Sequence, residues 1–97
     1  MAWFYTFDTQ SNSWRIPDTT GSITERMGIT PVIDYNGLMY LFGGATSEFN
    51  GNYTNDMFVL DTINLSWKKV NSINAPGLRV QYGAVYLPNK NIIYMGM

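Results

Sequence analysis

Residues 38–67 read LMYLFGGATSEFNGNYTNDMFVLDTINLSW and contain each kind of segment that recurs in this chain. An apolar run at 38–42 ends in a glycine pair, a polar loop follows, and a second apolar run at 57–60 leads to a tryptophan. Continuous apolar runs of this length predict strands that are covered on both faces. The stretch therefore predicts β structure that needs packing partners on each side.

The composition of the 97-residue chain agrees with one small all-β domain. Hydrophobic residues make up 45% and aromatic residues 15%, and aromatic side chains favour pleated sheets. The formal net charge of -1 provides no electrostatic attraction to nucleic acid or to an anionic membrane. Residues 1–10, MAWFYTFDTQ, lack the pattern of a secretory signal or membrane anchor. The sequence predicts neither nucleic acid nor membrane as a partner.

The chain contains an internal repeat with a displacement of 53 residues. The apolar segment FYTFD aligns with MFVLD. Eight identities share this displacement: Asp8 and Asp61, Thr9 and Thr62, Ser13 and Ser66, Trp14 and Trp67, Arg26 and Arg79, Val32 and Val85, Asn36 and Asn89, Gly43 and Gly96. Repeats of about this length are typical of propellers, solenoids and arrays.

The order of these pieces resembles the Kelch repeat, which has an apolar strand ending in a double glycine, a variable loop, a strand ending in aspartate, and a tryptophan six residues on. The matching pieces are YLFGG, then MFVLDTINLSW, then the arginine-containing loop PGLRVQYGAV. The resemblance covers nearly the whole chain and implies an all-β, partial Kelch-type β-propeller of four-stranded antiparallel blades. With strands named A to D from the inside outward, the implied order is CD-ABCD-AB.

The implied strands are 3–8, 13–16, 28–33, 38–43, 57–61, 66–70, 82–87 and 92–96. Residues 1–27 are expected to form a CD half blade and loop, 28–70 a complete blade, and 71–97 a loop and an AB half blade. Asn36 and Gly37 predict a type I′ turn between strands A and B, because both residues tolerate positive φ.

Two blades cannot close a propeller, which typically has 4 to 8. The sequence therefore predicts a fragment of a larger propeller. An alternative is head-to-tail self-association, in which the AB hairpin of one copy completes the CD hairpin of the next.

Trp14 and Trp67 are predicted to be structural, each covering the flank of a neighbouring blade with a large ring. Gly43 and Gly44 are predicted to supply backbone angles or close approach that a side chain would block. A phosphate-binding loop would require a helix after these glycines, and the following residues show no helical periodicity.

Asp8 and Asp61 precede short turns and are predicted to cap them as Asx turns. Their equivalent positions in different blades argue against paired-carboxylate catalysis. Lys68 and Lys69 follow Trp67 on the outermost strand, where charge discourages unwanted strand pairing.

Arg26 and Arg79 are the leading candidates for partner contacts. Both lie on loops joining strand D of one blade to strand A of the next, which emerge on the same face as the B to C loops. The resemblance implies that this face binds a protein partner, and arginine suits such sites because its planar fork binds carboxylates. The alternative is a loop-fixing hydrogen bond to backbone carbonyls. The remaining partner-binding candidates are on the B to C loop: Glu48, Phe49, Asn52 and Tyr53.

The favoured function is a non-catalytic protein-binding or scaffold module without cofactor or metal. The alternative is a non-catalytic portion of a galactose-oxidase-like secreted enzyme, since that superfamily includes copper enzymes. Their site uses histidine and a cysteine cross-linked to tyrosine. This chain has no His and no Cys and cannot itself supply that site, a usual zinc site or a Ser-His-Asp site. A purely structural piece that completes a ring is a third reading.

Overall fold

The computed structural model describes residues 4–21, 26–45, 54–70, 73, 75–77 and 82–96, and every regular element in these ranges is a β-strand. The strands are β1 (Thr6–Asp8), β2 (Ser13–Arg15), β3 (Val32–Ile33), β4 (Leu38–Phe42), β5 (Met57–Asp61), β6 (Ser66–Val70), β7 (Gly83–Tyr86) and β8 (Ile92–Met95). In this described part of the chain they form a β1-β2 hairpin, a β3-β4-β5-β6 sheet and a β7-β8 hairpin, all antiparallel. The predicted all-β fold with the strand order CD-ABCD-AB is confirmed.

The innermost strand of the complete blade is shorter than predicted. Strand β3 has two residues, although the sequence predicts a strand over 28–33. Gly28 has a φ of 72°, which interrupts extended backbone, and Pro31 has no N–H to donate to a neighbouring strand. Met27, before this interruption, forms an isolated antiparallel bridge to Ala45. Strand A is therefore split, whereas β5 and β6 begin and end where the sequence predicts.

Strand pairing follows the same 53-residue displacement as the sequence. In the first hairpin Phe7 lies opposite Trp14, and in the complete blade Leu60 lies opposite Trp67. The inner hairpins also correspond, since the pairs Val32–Tyr40 and Val85–Ile93 differ by 53 at both positions. The repeat is therefore one of hydrogen-bond register as well as of residue type.

The core lies along the two central strands of the complete blade. Consecutive residues of β4 and of β5 are buried, and successive side chains of a strand point to opposite faces. Both faces of the blade are therefore covered. The buried hydrophobic residues are Val32, Leu41, Phe42, Ala45, Phe58, Val59, Leu60 and Tyr82.

The first hairpin is attached to the complete blade at its outermost strand. Thr20 forms a parallel bridge with Ser66, and its carbonyl accepts a 2.8 Å hydrogen bond from the Trp67 N–H. The rings of Phe4 and Trp67 pack edge to face with centroids 5.5 Å apart. The segment after β2 thus pairs with part of an edge that would otherwise be open.

The last hairpin is attached through an aromatic cluster of Phe42, Tyr82 and Tyr94, whose ring centroids are 5.2 to 6.1 Å apart. The Tyr82 hydroxyl donates a hydrogen bond to the Phe42 carbonyl, and the Thr30 hydroxyl donates to the Tyr82 carbonyl at 2.6 Å. Burial raises the pKa of Tyr94 to about 12. The cluster is therefore uncharged near neutral pH.

The A to B turn of the complete blade is not the predicted type I′ turn. Gly37 has a φ of 85°, but Asn36 is not among the residues with positive φ. The N–H groups of Asn36 and Leu38 instead donate to Asp34 Oδ1, each at 2.9 Å. The prediction of type I′ is wrong because the Asp34 carboxylate stabilises a three-residue loop with only one left-handed residue.

The corresponding turn of the last hairpin has Lys90 at the position of Gly37, with a φ of 70°. A residue with a Cβ is destabilised in this conformation by about 1 to 2 kcal/mol. Lys90→Gly should therefore raise the free energy of unfolding by about 1 kcal/mol, since part of this gain is offset by the greater chain entropy of glycine in the unfolded state. Urea denaturation measures the change. The reverse test is Gly37→Lys, which should lower the free energy of unfolding. A loss of stability in Lys90→Gly would contradict the left-handed conformation of residue 90.

Candidate loop-face binding site

The double glycine joins two segments that lead into the loops on one end of the blade. The Gly43 N–H donates to the Asp56 carbonyl and the Thr54 N–H donates to the Gly44 carbonyl, both at 2.9 Å. On the other side, Met27 and Ala45 exchange two backbone hydrogen bonds of 3.0 and 2.9 Å. The glycine segment therefore lies between residues 26–27 and residues 54–56, and it fixes their separation.

Arg26 and Asp56 form an ion pair across this junction. One guanidinium nitrogen, Nη2, donates to both carboxylate oxygens of Asp56 at 3.0 and 3.2 Å. The guanidinium carbon lies 5.2 Å from the centre of the Phe58 ring, a distance at which a cation is attracted to the ring face. Only 5% of the Arg26 side chain is exposed, against 25% for Asp56.

The Asp56 carboxylate is held in its charged form. Burial alone would raise its pKa, but the neighbouring Thr54 hydroxyl and the Arg26 guanidinium outweigh burial and lower the pKa below the ordinary value. A carboxylate with a lowered folded pKa stabilises the protein above the unfolded pKa of about 4, and this contribution is lost as the pH falls further. The ion pair is thus fully formed at neutral pH.

The loop also contacts the next blade. The Asn55 side-chain amide donates to the Pro76 carbonyl at 3.2 Å, and Pro76 belongs to the segment that leads towards β7. Residues 26–27, 54–56 and 75–77 therefore form a continuous group on one end of the molecule, which we call the loop face. The turns Asp34–Gly37 and Thr62–Leu65 lie at the opposite end, where the Thr62 N–H donates to the Gly37 carbonyl at 3.0 Å.

The structure places Arg26 differently from the sequence-based expectation of a partner contact. Its guanidinium points inward to Asp56 and is nearly fully buried, so Arg26 supports the loop face from below. Among the described residues it does so through the Asp56 carboxylate. The other partner-binding candidates lie outside the described residues: Glu48, Phe49, Asn52, Tyr53 and Arg79.

Asp56 is a candidate-site residue that the sequence pattern does not identify. Its position directly before β5, opposite the end of β4, was the available signal, because a carboxylate there is close to the linker that enters β3. Arg26 and Asp56 are 30 residues apart in the sequence, and this separation does not predict that they form an ion pair.

The two repeat tryptophans have different environments. Trp67 is half-buried against Phe4, whereas Trp14 is 70% exposed and packs only on Phe7 of its own hairpin among its described ring contacts. The predicted cover of a neighbouring blade by Trp14 is not seen, because its face of the β1-β2 hairpin points away from the complete blade.

Asp8 and Asp61 occupy equivalent turns. Asp61 Oδ1 accepts hydrogen bonds from the N–H groups of Ile63 and Asn64 at 2.9 and 3.1 Å. Asp8 Oδ1 accepts one from Gln10 at 2.9 Å. Hydrogen bonds from these backbone groups lower the pKa of both carboxyls. These are the contacts of an Asx turn.

No group of three or more His, Cys, Asp or Glu residues with a geometry suited to a metal ion occurs among the described residues. The same part of the chain contains no helix long and apolar enough to cross a membrane.

The four-stranded blade, its repeated register and the buried double glycine define a Kelch-type propeller segment. A family comparison gives a more specific assignment: the KLHDC2/KLHL20/DRC7 Kelch-repeats domain matches residues 2–97. The chain belongs to this family. Kelch-repeat domains are generally non-enzymatic, and protein binding is typical of them.

Two curated proteins are similar in sequence to this chain. The chain is 28% identical over 64 residues to Kelch domain-containing protein 3 of Bos taurus and to its counterpart in Homo sapiens. The aligned region covers 66% of this chain and 16% of each relative. The aligned part of the chain thus spans about one sixth of the length of these proteins.

Proposed function

We propose that this chain is a non-catalytic protein-binding module whose loop face contacts a protein partner. The proposal rests on two side-chain interactions at this face, the Arg26–Asp56 ion pair and the hydrogen bond from the Asn55 amide to the Pro76 carbonyl. They join the linker before the complete blade, the B to C loop, and the linker after the blade. Three segments from two blades thereby support one surface, as required for a preorganised binding site.

The contact residues that we propose are Arg79 together with the B to C loop residues Glu48, Phe49, Asn52 and Tyr53. Arginine and tyrosine are enriched among the residues that dominate binding energies, and arginine binds carboxylates bidentately. These residues therefore suit a protein segment that carries an acidic side chain. Arg26 acts as a positioning residue, since it holds Asp56 and with it the end of the loop.

We also propose that the chain contributes its strands to a larger propeller through head-to-tail association. The β1-β2 and β7-β8 hairpins each have two strands, and they are the outer and inner halves of the same blade type. Hydrophobic side chains are exposed on both, including Trp14 at 70% and Met95 at 64%. Exposed apolar surface on open sheets is typical of an unfinished interface.

The loop-face proposal is tested by selecting peptides from a phage-displayed random library against the chain and measuring the affinity of single selected peptides. Arg79→Ala and Tyr53→Ala should each weaken binding by about tenfold or more, as expected when a residue that dominates an interface is truncated. Ile63→Ala is the matched control, because Ile63 is 76% exposed and lies in the turn at the opposite end. Circular dichroism verifies that the variants fold. Selected peptides that bind both loop variants as they bind the parent would contradict the site.

A further inference from the structure

A cleft of about 610 Å³ lies between the complete blade and the β7-β8 hairpin. Phe42, Met57 and Val70 line it from one face of the complete blade, and Ile92 and Tyr94 line it from β8. In the complete blade β4 is followed outward by β5 and β6, but β8 pairs only with β7 in the described structure. The cleft is therefore bordered by an open strand edge and by an apolar wall.

The β1-β2 hairpin carries an exposed apolar face. Tyr5, Phe7 and Trp14 are 53%, 43% and 70% exposed, and the rings of Phe7 and Trp14 are in contact with centroids 4.8 Å apart. Strand alternation places Tyr5 and Phe7 on one face and Phe4 on the other. Because Phe4 packs on Trp67, the face with Tyr5, Phe7 and Trp14 points away from the complete blade.

The repeat relates these two surfaces. Strand β1 is the counterpart of β5, and β8 is the counterpart of β4. In the complete blade, Tyr40 lies opposite Val59 and Leu41 lies opposite Phe58. The displacement of 53 residues converts these pairs into Ile93 opposite Thr6 and Tyr94 opposite Tyr5.

We propose that the β1-β2 hairpin of a second copy of this chain docks into the cleft and pairs antiparallel with β8, with Thr6 opposite Ile93. This inference rests on the head-to-tail association in the proposed function and specifies its site and register. The docked hairpin supplies strands C and D to the β7-β8 half blade.

Two further contacts follow from the same displacement. Trp67 packs on Phe4 of the preceding hairpin. The displacement of 53 residues converts this pair into Trp14 and Met57, so Trp14 of the second copy packs on Met57, which lines the cleft. Thr20 bonds the backbone of β6, and its counterpart Ile73 is 88% exposed at the rim of the cleft. Ile73 is thus placed to pair with β2 of the second copy.

The interface is heterologous, because a hairpin of one copy meets a cleft of another. Such contacts form closed rings when the rotation closes. In such a ring the opposite face of the β7-β8 hairpin, with Val85, Ile93 and Met95 exposed at 55%, 43% and 64%, packs on the complete blade of the second copy.

Disulfide cross-linking tests the register. The chain has no Cys, so Thr6→Cys and Ile93→Cys are prepared as separate proteins and mixed under oxidising conditions. Residues directly opposite in an antiparallel pair have Cα atoms about 4.5 to 5.5 Å apart, within the range of a disulfide. A cross-linked product containing one copy of each variant is expected, and Thr6→Cys mixed with Ile63→Cys should give little. Equal cross-linking in both mixtures, or none in either, would overturn the proposal.

Sedimentation tests the direction of the contact. Trp14→Glu damages the docking hairpin and Met57→Glu damages the cleft, so each variant alone should be monomeric at concentrations where the parent associates. An equimolar mixture should form particles of two copies and nothing larger, because it retains one intact hairpin and one intact cleft. Association of Trp14→Glu alone like the parent, or a parent that is monomeric at all concentrations, would contradict the model.

The cross-linking and sedimentation experiments change no residue of the loop face. Thr6 is exposed and Ile93 is 43% exposed, so cross-linking decides the question even where Met57→Glu disturbs folding. Trp14→Glu should bind loop-face peptides with unchanged affinity. Loss of self-association with retained peptide binding, or the reverse, therefore separates the two proposals.

Discussion

Arg26→Met is expected to lower the free energy of unfolding by about 3 kcal/mol, because removing one partner of a buried ion pair leaves the other charge uncompensated. The Arg26 side chain is 5% exposed, and its guanidinium contacts both oxygens of Asp56. Methionine retains much of the side-chain volume against Phe58, so the loss reports on charge more than on packing. Urea denaturation followed by tryptophan fluorescence measures it.

The chain provides a matched control for this prediction. Arg15 and Asp8 also form an ion pair, at 3.7 Å, but their side chains are 65% and 38% exposed. Arg15→Met should change stability little, since exposed pairs are screened by solvent. The double variant Arg26→Met with Asp56→Leu should recover part of the loss, because no charge is then left buried. Equal effects of Arg26→Met and Arg15→Met would show that the buried pair has no structural role.

Gly44→Ala is expected to lower the free energy of unfolding by more than about 2 kcal/mol. Gly44 has a φ of 85°, which costs about 1 to 2 kcal/mol for a residue with a Cβ. The added Cβ would also lie 2.5 Å from Ile29 Cγ2 and 2.9 Å from the Met27 carbonyl oxygen. Relief of these contacts would separate residues 26–27 from the glycine segment and disturb the Arg26–Asp56 pair as well. Thermal and urea denaturation both measure the effect.

Gly77→Ala is the control for this substitution. A Cβ at Gly77 would meet nothing within 4 Å, and its φ is not positive. Alanine at such a position leaves stability unchanged or raises it slightly, since it restricts the unfolded chain. Similar losses at positions 44 and 77 would indicate a general sensitivity to alanine rather than a specific role of the double glycine.

The strand order was predictable because each type of hairpin, AB and CD, occurs twice in the chain. A tryptophan and an aspartate at fixed spacing mark strands C and D in both copies, and β5 and β6 begin and end where the sequence predicts. Strand A was harder to predict, since Gly28 and Pro31 interrupt a segment whose apolar residues alone favour a longer strand. The A to B turn differs from the predicted type because the Asp34 carboxylate, which accepts hydrogen bonds from the N–H groups of Asn36 and Leu38, determines the loop.

The candidate site was less predictable than the fold. The sequence indicates correctly that the linker and the B to C loop share one end of the blade, since this follows from the up-and-down strand order. Whether a loop arginine points outward or inward depends on a charge elsewhere in the chain, and local pattern does not identify that partner. Arg26 was expected at the surface for this reason. The difference in exposure between Trp14 and Trp67 likewise depends on what lies beside each hairpin.

The central claim is that one complete blade lies between two complementary half blades, and amide hydrogen exchange of the chain at monomeric concentrations tests it most directly. Strands β4 and β5 are paired on both edges, so their amides should exchange most slowly. Within the part of the chain that the structure describes, strands β1 and β8 are paired on one edge only, so their amides should exchange faster. Equal protection of all four strands, or slowest exchange in β1 or β8, would contradict this arrangement.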